Sequence, residues 1–385
     1  MTSNKDLTDK HDCIHSQVDD YDQYNSGLPA LDLNDKPLGP YEFWPSWFFY
    51  LPVVFYWIFL SVKYRSFSLP MLSNPRIDLG GMVGESKSEI LDLAEGEARD
   101  FILPYVLEQR TKAYDSRSLE ELLLKAEKND IIFPMIVKPD LGCRGAGVQK
   151  VDTREALEAY IDSFPVGRAF MLQQLAPFSA EVGLFYQRMP NETKGRITSL
   201  TLKYAPYVIG DGHSTLKQLI ENDPRASELS HLYIPKNQGF LGNVIAKGEC
   251  RSLAFAGSHS RGSIFRNGER YISSALESKI DELMHRIPDF HYGRMDIKFK
   301  DMASFMKGEN FAIIEINGAS SESTHIWDSR TRLKDIFIVL LKQYKTLFAM
   351  GDQIRQRGVK TPSISRMIRT WLEELKAVGD LPPSN

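Results

Sequence analysis

RMDIKFK (residues 294–300) and FAIIEIN (residues 311–317) are two short segments in which polar and apolar residues alternate. A period of two is that of a β-strand, whose side chains point to opposite faces in turn. Arg294, Asp296 and Lys298 therefore share one face of one strand, and Glu315 and Asn317 share one face of the other. Laid side by side, the strands aim Asp296, Glu315 and Asn317 at one point. That is an oxygen-only set, suited to a hard cation such as Mg²⁺ or Mn²⁺ that is also holding phosphate. The wet face of an ordinary amphipathic strand has the same composition. The segments predict strands and leave the ligand open.

Upstream, PMIVK (134–138) reads as a short buried strand, DLGCRGAG (140–147) as a glycine-rich turn and 148–151 as a second strand. Such a hairpin bares backbone N–H groups to phosphate, because glycine permits close approach and unusual dihedrals. Lys138 closes the first strand and Arg144 sits in the turn, adding cations. No G-K-[S/T] follows, so this is not a Walker loop, and alone the hairpin fits a structural turn as well as a phosphate clamp. Cys143 has no base nearby and reads as a small filler. Further strands are expected at 169–174, 181–187 and 196–204. Helices are expected over 118–128 (capped by Ser118 with Glu121), 154–163, 216–221 (capped by Thr215 with Gln218) and 333–348. A basic amphipathic helix over 365–376 either packs on the domain or touches lipid.

Bulk properties exclude several classes. A net charge of −3 over 385 residues argues against nucleic acid as an obligate partner. Cys13, Cys143 and Cys250 lie far apart with no C-x-x-C pair, so no disulfide framework or zinc site is implied. Residues 1–40 hold eight aspartates against three lysines and read as an acidic disordered tail, not a signal peptide. Residues 43–62 are uncharged, and ten of the twenty are Phe, Trp or Tyr. Pro45 and Pro52 interrupt the run, and Lys63 and Arg65 follow it. A monotopic anchor, a true span and a soluble aromatic docking surface all remain open.

Order along the chain makes the pieces specific: Lys138 with its glycine turn, Gln174 and Glu181 seven apart, Lys203, the GDGHST turn at 210–215, Arg294 with Asp296, and Glu315 with Asn317. This order resembles the ATP-grasp superfamily, in particular the branch similar to D-alanine–D-alanine ligases and cyanophycin synthetases, over residues 85–350. The resemblance implies an α+β fold in which two α+β subdomains clasp ATP, here with an N-terminal aromatic membrane-associating segment. It implies that Lys138 and, less directly matched, Lys87 hold the ATP phosphates, with Gly142, Arg144, Gly145 and Gly147 as a cover over them. Glu181 would meet the ribose and Gln174 the adenine amine, where an acidic residue is usual. Lys203 would lie over the γ-phosphate and Arg294 would stabilise the transferred phosphoryl group. Asp296, Glu315 and Asn317 would hold Mg²⁺ or Mn²⁺.

The implied activity is a ligase: ATP activates a carboxylate as an acyl phosphate, and an amine or other nucleophile then displaces phosphate. Two loops, 257–262 and 318–328, would face the acceptor. Arg261 would grip an anion, and His259, Ser320, Glu322 and His325 are candidates to orient the nucleophile, although a polar loop with a hydrogen-bonded histidine looks the same. The expected organisation is an acidic tail (1–40), a hydrophobic aromatic segment (41–66), a connector (67–84), the ATP-grasp domain (85–350) and a tail with a basic helix (351–385). The family's usual Rossmann-like domain is missing from the front, so residues 74–88 are expected to help rebuild the substrate site. The expected setting is the cytoplasmic side of a membrane, with small or amphiphilic acid and amine substrates and a homodimer as one option. An ATP-grasp kinase and a non-catalytic nucleotide-binding adaptor are the alternatives.

Overall fold

The computed structural model describes residues 25–32, 38–42, 44–112, 114–142, 145–254, 257 and 262–382. Most of the acidic tail, together with Arg144, His259 and Arg261, lies outside them.

The chain is a mixed α/β protein built on antiparallel sheets. β1 (Tyr105–Gln109), β2 (Met135–Pro139), β3 (Gln149–Val151) and β4 (Ala169–Gln174) form a four-stranded sheet in the order β1-β4-β2-β3. β5 (Ala180–Gln187) and β6 (Arg196–Tyr204) open the second sheet. A ribbon of β7 (Tyr207–Ile209) and β8 (Cys250–Ser252) follows, and then β9 (Ile264–Asn267), β10 (Tyr292–Phe299) and β11 (Phe311–Asn317) complete the second sheet as β11-β10-β5-β6-β9. Nine helices matter here. α1 (Ser46–Phe49), α2 (Leu51–Tyr64) and α3 (Lys87–Asp92) precede the first sheet. α4 (Ser116–Glu127) and α5 (Arg154–Ser163) pack on it. α6 (Leu216–Asn222), α7 (Ser274–His285), α8 (Leu333–Gln356) and α9 (Ile364–Gly379) follow.

Period-two patterning decides which face of the five-stranded sheet is the core. Val182, Leu184, Leu200, Leu202, Met295 and Ile297 point to one side, where they pack with Leu276, Ile280 and Leu283 of α7. The polar positions between them are left on the opposite face, which holds the candidate site. The four-stranded sheet buries Val137 and Leu172 against Leu119 and Leu122 of α4 and Leu157 and Ile161 of α5.

Several local expectations shift. The helix expected over 118–128 starts at Ser116, because the Asp115 carboxylate accepts the Ser118 N–H and is the real N-cap. The Thr215–Gln218 capping box forms as expected. α8 runs eight residues past the predicted end, to Gln356, and stops where Gly358 takes φ +89°. Alternation in β11 is broken by a bulge: Asp296 pairs Glu315 while Ile297 pairs Ile313, leaving Ile314 extra.

Residues 46–64 fold as two short helices because each proline opens one: Pro45 is the N-cap of α1 and Pro52 lies in the first turn of α2. Among the described residues no helix is long and apolar enough to cross a membrane. One side of α1–α2 packs on α8 through Phe49, Val53 and Leu60. α9 is docked by its polar side, with Arg366 donating to Asp78 at 2.7 Å and the Gly84 N–H donating to Glu374 at 2.9 Å. Its apolar stripe, Ile364, Ile368, Trp371, Leu372 and Leu375, faces outward, so that stripe does not make the packing contact.

Asn74 fastens the connector to the second sheet. Its amide donates to the carbonyls of Gly80 (3.1 Å) and Tyr292 (2.8 Å) and accepts from the N–H groups of His291 (2.9 Å) and Tyr292 (3.0 Å). Asn74→Ala strands those buried backbone groups, so the unfolding free energy should fall by roughly 2–4 kcal/mol. A urea midpoint within the error of the native chain would refute this. Burial, reinforced by the Arg188 cation, lowers the neighbouring His291 to about 4 from the ordinary 6.5. The unfolded chain therefore binds the proton more readily, and stability present above pH 6.5 should be lost as pH falls from 6.5 toward 4. His291→Leu should flatten that part of the urea-midpoint profile against pH.

Candidate active site

The polar face of the five-stranded sheet is a set of rows running across the strands. In one row Lys298, Glu181 and Lys203 are direct cross-strand partners. In the next, Glu315 and Asp296 are partners, followed by Gly183 and Thr201. In a third, Asn317 faces Arg294. The β11 bulge turns Glu315 onto this face beside Asp296 while keeping Ile313 and Ile316 in the core.

The charges bridge rows as well as neighbours. Lys203 Nζ lies 2.9 Å from Glu181 Oε1 and 2.8 Å from Asp296 Oδ1, and all three side chains are almost fully buried. Lys298 Nζ holds the other oxygen of Glu181 at 2.9 Å, and Arg294 Nε donates to Asp296 at 3.1 Å. Lys203 reaches Asp296 across β5 at Gly183. A Cβ there would lie 3.3 Å from Lys203 Cε and 3.4 Å from Arg294 Cδ. Gly183 thus keeps the crossing open. Burial opposes the Asp296 charge, but Arg294 and Lys203 outweigh it and hold the carboxyl below its usual range. Burial likewise works against Lys203, yet Asp296 and Glu181 keep its ammonium charged.

The four-stranded sheet contributes Lys138. Its Nζ donates to Gln173 Oε1 at 2.8 Å and, across to the other sheet, to the carbonyl of the bulged Ile314 at 3.1 Å. Burial lowers Lys138 to about 8, with Glu315 pulling the other way and Lys87 adding to the fall. An anion beside it would favour the charged form further. Lys87, at the start of α3, donates to the Gly142 carbonyl at 2.6 Å, and Asp140 accepts from Ser86 Oγ (2.7 Å) and the Ser88 N–H (2.8 Å). These bonds tie the glycine turn to α3. Gly142, Gly145 and Gly147 all take positive φ, and a Cβ on Gly147 would lie 2.7 Å from Pro139 Cγ.

The connector also enters the site. Ala319 and Ser320 donate backbone N–H groups to the Gly80 and Gly81 carbonyls at 3.0 and 2.8 Å, and Glu85 Oε2 accepts the Gly318 N–H at 2.7 Å. Burial raises the Glu85 carboxyl to about 8, the Gly318 N–H works against the rise and Glu315 adds to it. His325 Nδ1 lies 2.7 Å from Ser199 Oγ, and burial lowers its pKa. Glu322 accepts the Tyr50 hydroxyl at 2.8 Å. Ser320 is exposed.

Lys87, Lys138, Glu181, Lys203, Arg294, Asp296, Glu315 and Asn317 are therefore carried by the two sheets, which Lys138 bridges, and by the start of α3. Gln174 stands apart: it ends β4, and its carbonyl oxygen accepts the Ile132 N–H at 2.9 Å. The neighbouring Gln173 is the one that meets Lys138, since one residue along a strand changes the face. Sequence reasoning missed Gly183, and it expected residues 74–88 at the substrate site without singling out Glu85. Glu85 lies in a connector whose fold-back has no local pattern, although a carboxylate inside a glycine-rich stretch is a weak cue.

Among the described residues no three His, Cys, Asp or Glu side chains form a ready cation cage. Asp296, Glu315 and the amide of Asn317 nevertheless fit a divalent cation shared with phosphate. Their donors are hard oxygens, the chemistry such a cation takes.

No protein-family model and no curated protein matches the chain. Among solved structures it is similar to a bifunctional glutathione synthetase from Pasteurella multocida (14% identity, 67% of this chain, 36% of that one, TM-score 0.35). It is also similar to VanG D-Ala:D-Ser ligase from Enterococcus faecalis (12%, 71% and 64%, TM-score 0.40) and to a D-alanine–D-alanine ligase from Bacillus anthracis (11%, 74% and 72%, TM-score 0.42). The chain thus spans less than two thirds of the first two. With every TM-score below 0.5, these likenesses carry no inference about what this chain does.

Lys203→Met leaves Glu181 and Asp296 buried with less countercharge and should lower the unfolding free energy by about 3–5 kcal/mol. Adding Glu181→Gln should recover part of that loss, because the double variant strands one carboxylate fewer. Equal urea midpoints for Lys203→Met and the native chain would show that the network is not load-sharing.

Proposed function

We propose that the chain is an ATP-grasp enzyme that uses ATP to join a carboxylate to an amine or a similar nucleophile. The observation that carries this reading is the convergence of Lys138 from one sheet with Lys203, Arg294, Asp296, Glu315 and Asn317 from the other. Cations suit a triphosphate, and the interleaved oxygens suit a metal bound to it.

In this reading Lys138 and Lys87 neutralise the phosphates, with the backbone of the 140–147 turn lying over them. Glu181 accepts from the ribose. Asp296, Glu315 and Asn317 hold the divalent cation, which when bound offsets phosphate charge. Lys203 and Arg294, already fixed by buried carboxylates, need little rearrangement as charge builds on the transferred phosphoryl group. An oxygen of the substrate carboxylate attacks the γ-phosphorus, the bond to ADP breaks, and an acyl phosphate remains. The nucleophile then adds to the acyl carbon, phosphate leaves, and the nucleophile gives up a proton. His325, kept neutral by burial, and Glu322 face that second step from the 318–328 segment.

The test is product analysis on the full chain with a crossed panel of acids and amines. ADP and phosphate should appear only when both partners are present, and Glu315→Ala should slow their release by roughly 100-fold or more. A stable phosphorylated product formed without an amine would make it a kinase instead. ATP binding with no turnover under any pairing would favour a nucleotide-binding adaptor.

A further inference from the structure

Among the described residues, nothing covers the face of α1–α2 turned away from α8. Trp47 is 73% exposed, Phe55 64%, Phe59 60% and Val62 74%, with Phe48, Leu51, Val54 and Ile58 between them. Folded chains rarely leave so continuous an apolar surface in water. The opposite face is firmly held: Trp57 packs edge-on to Tyr344 and Phe348 with ring centroids 5.5 and 5.2 Å apart. The helix is thus anchored to the body along one side and bare along the other.

We propose that α1 and α2 lie in the plane of a lipid bilayer surface containing anionic lipid, with this bare face in the headgroup boundary. α2 has 14 residues, or about 21 Å at 1.5 Å per residue, short of the roughly 30 Å hydrocarbon core. It is too short to span and long enough to lie flat. Large aromatic rings favour the boundary over the hydrocarbon centre. A protein partner would be met by a polar rim around the apolar patch, whereas residues 43–62 carry no charge and Lys63 and Arg65 follow at one end. That arrangement complements anionic headgroups.

The same element touches the segment that the ligase reading makes the acceptor side. The Tyr50 hydroxyl donates to Glu322, and the tilted rings of Phe49 and Trp327 pack with centroids 4.9 Å apart. Resting on that reading, the acceptor segment sits at the lipid surface, and the substrate class is an amphiphile presented by the membrane.

Flotation of the full chain with phosphatidylcholine vesicles, with and without phosphatidylglycerol, reads membrane seating independently of catalysis. The native chain should float, and Phe55→Gln with Phe59→Gln should cut its partitioning roughly tenfold or more while leaving the melting temperature within about 3 °C. Lys63→Gln with Arg65→Gln should weaken binding only to the anionic vesicles. A native chain that stays below the gradient, or an aromatic double variant that floats equally well, overturns the proposal. So does a dimer in sedimentation equilibrium that the same aromatic substitutions dissociate, because a second copy would then own the face. If flotation succeeds while lipid-linked and soluble acids and amines are turned over equally, the membrane seating stands and the amphiphilic substrate class falls. If flotation succeeds and nothing is turned over, the failure belongs to the ligase reading.

Discussion

A lysine ammonium shared by two buried carboxylates governs the geometry of this protein. Lys203 sits between Glu181 and Asp296; Lys298 holds the other oxygen of Glu181, and Arg294 Nε shares Asp296 Oδ1 with Lys203. Burying any one of these charges alone would cost several kcal/mol. Together they form an alternating set in which each charge has an opposite neighbour, so the sheet face can be dry and charged at once. The consequence is pre-organisation: the cations stand ready without needing a ligand to order them. Lys138 differs. It bridges the two sheets through neutral acceptors, Gln173 and the Ile314 carbonyl, and is lowered to about 8 by its burial. It is the cation with most to gain from an incoming phosphate.

Much of this was legible in the sequence where the pattern is local. Period-two alternation put Asp296, Glu315 and Asn317 on one face, and the register of β10 with β11 brings them side by side. The hairpin that carries Lys138 was equally readable from its glycines. What escaped is whatever depends on chain segments far apart. Gly183 matters for the side chain it lacks, and only the crossing of Lys203 and Arg294 over it gives that meaning. Glu85 reaches the site because residues 80–81 hydrogen-bond to 319–320, a pairing with no periodic signature. Gln173, which meets Lys138 from the face of β4 opposite to Gln174, was not singled out. The bulge at Ile314 interrupts an alternation that looks regular on paper.

The N-terminal aromatic segment shows the same division. Its composition could not distinguish a span from a surface helix, because both are apolar. The placement of two prolines resolves the segment into α1 and α2, and packing on α8 leaves one side bare. The Tyr50–Glu322 bond then ties this face to the segment after β11. α9 also turns an apolar stripe outward, but it is docked by polar contacts, whereas α1 and α2 are held by apolar and aromatic packing.

The most direct measurement of the central claim is titration calorimetry of ATP into the full chain with and without Mg²⁺, repeated on Asp296→Asn. The account predicts binding that depends on the divalent cation and is lost or greatly weakened by the substitution. ATP binding of equal strength without the metal, or unchanged in Asp296→Asn, would contradict it.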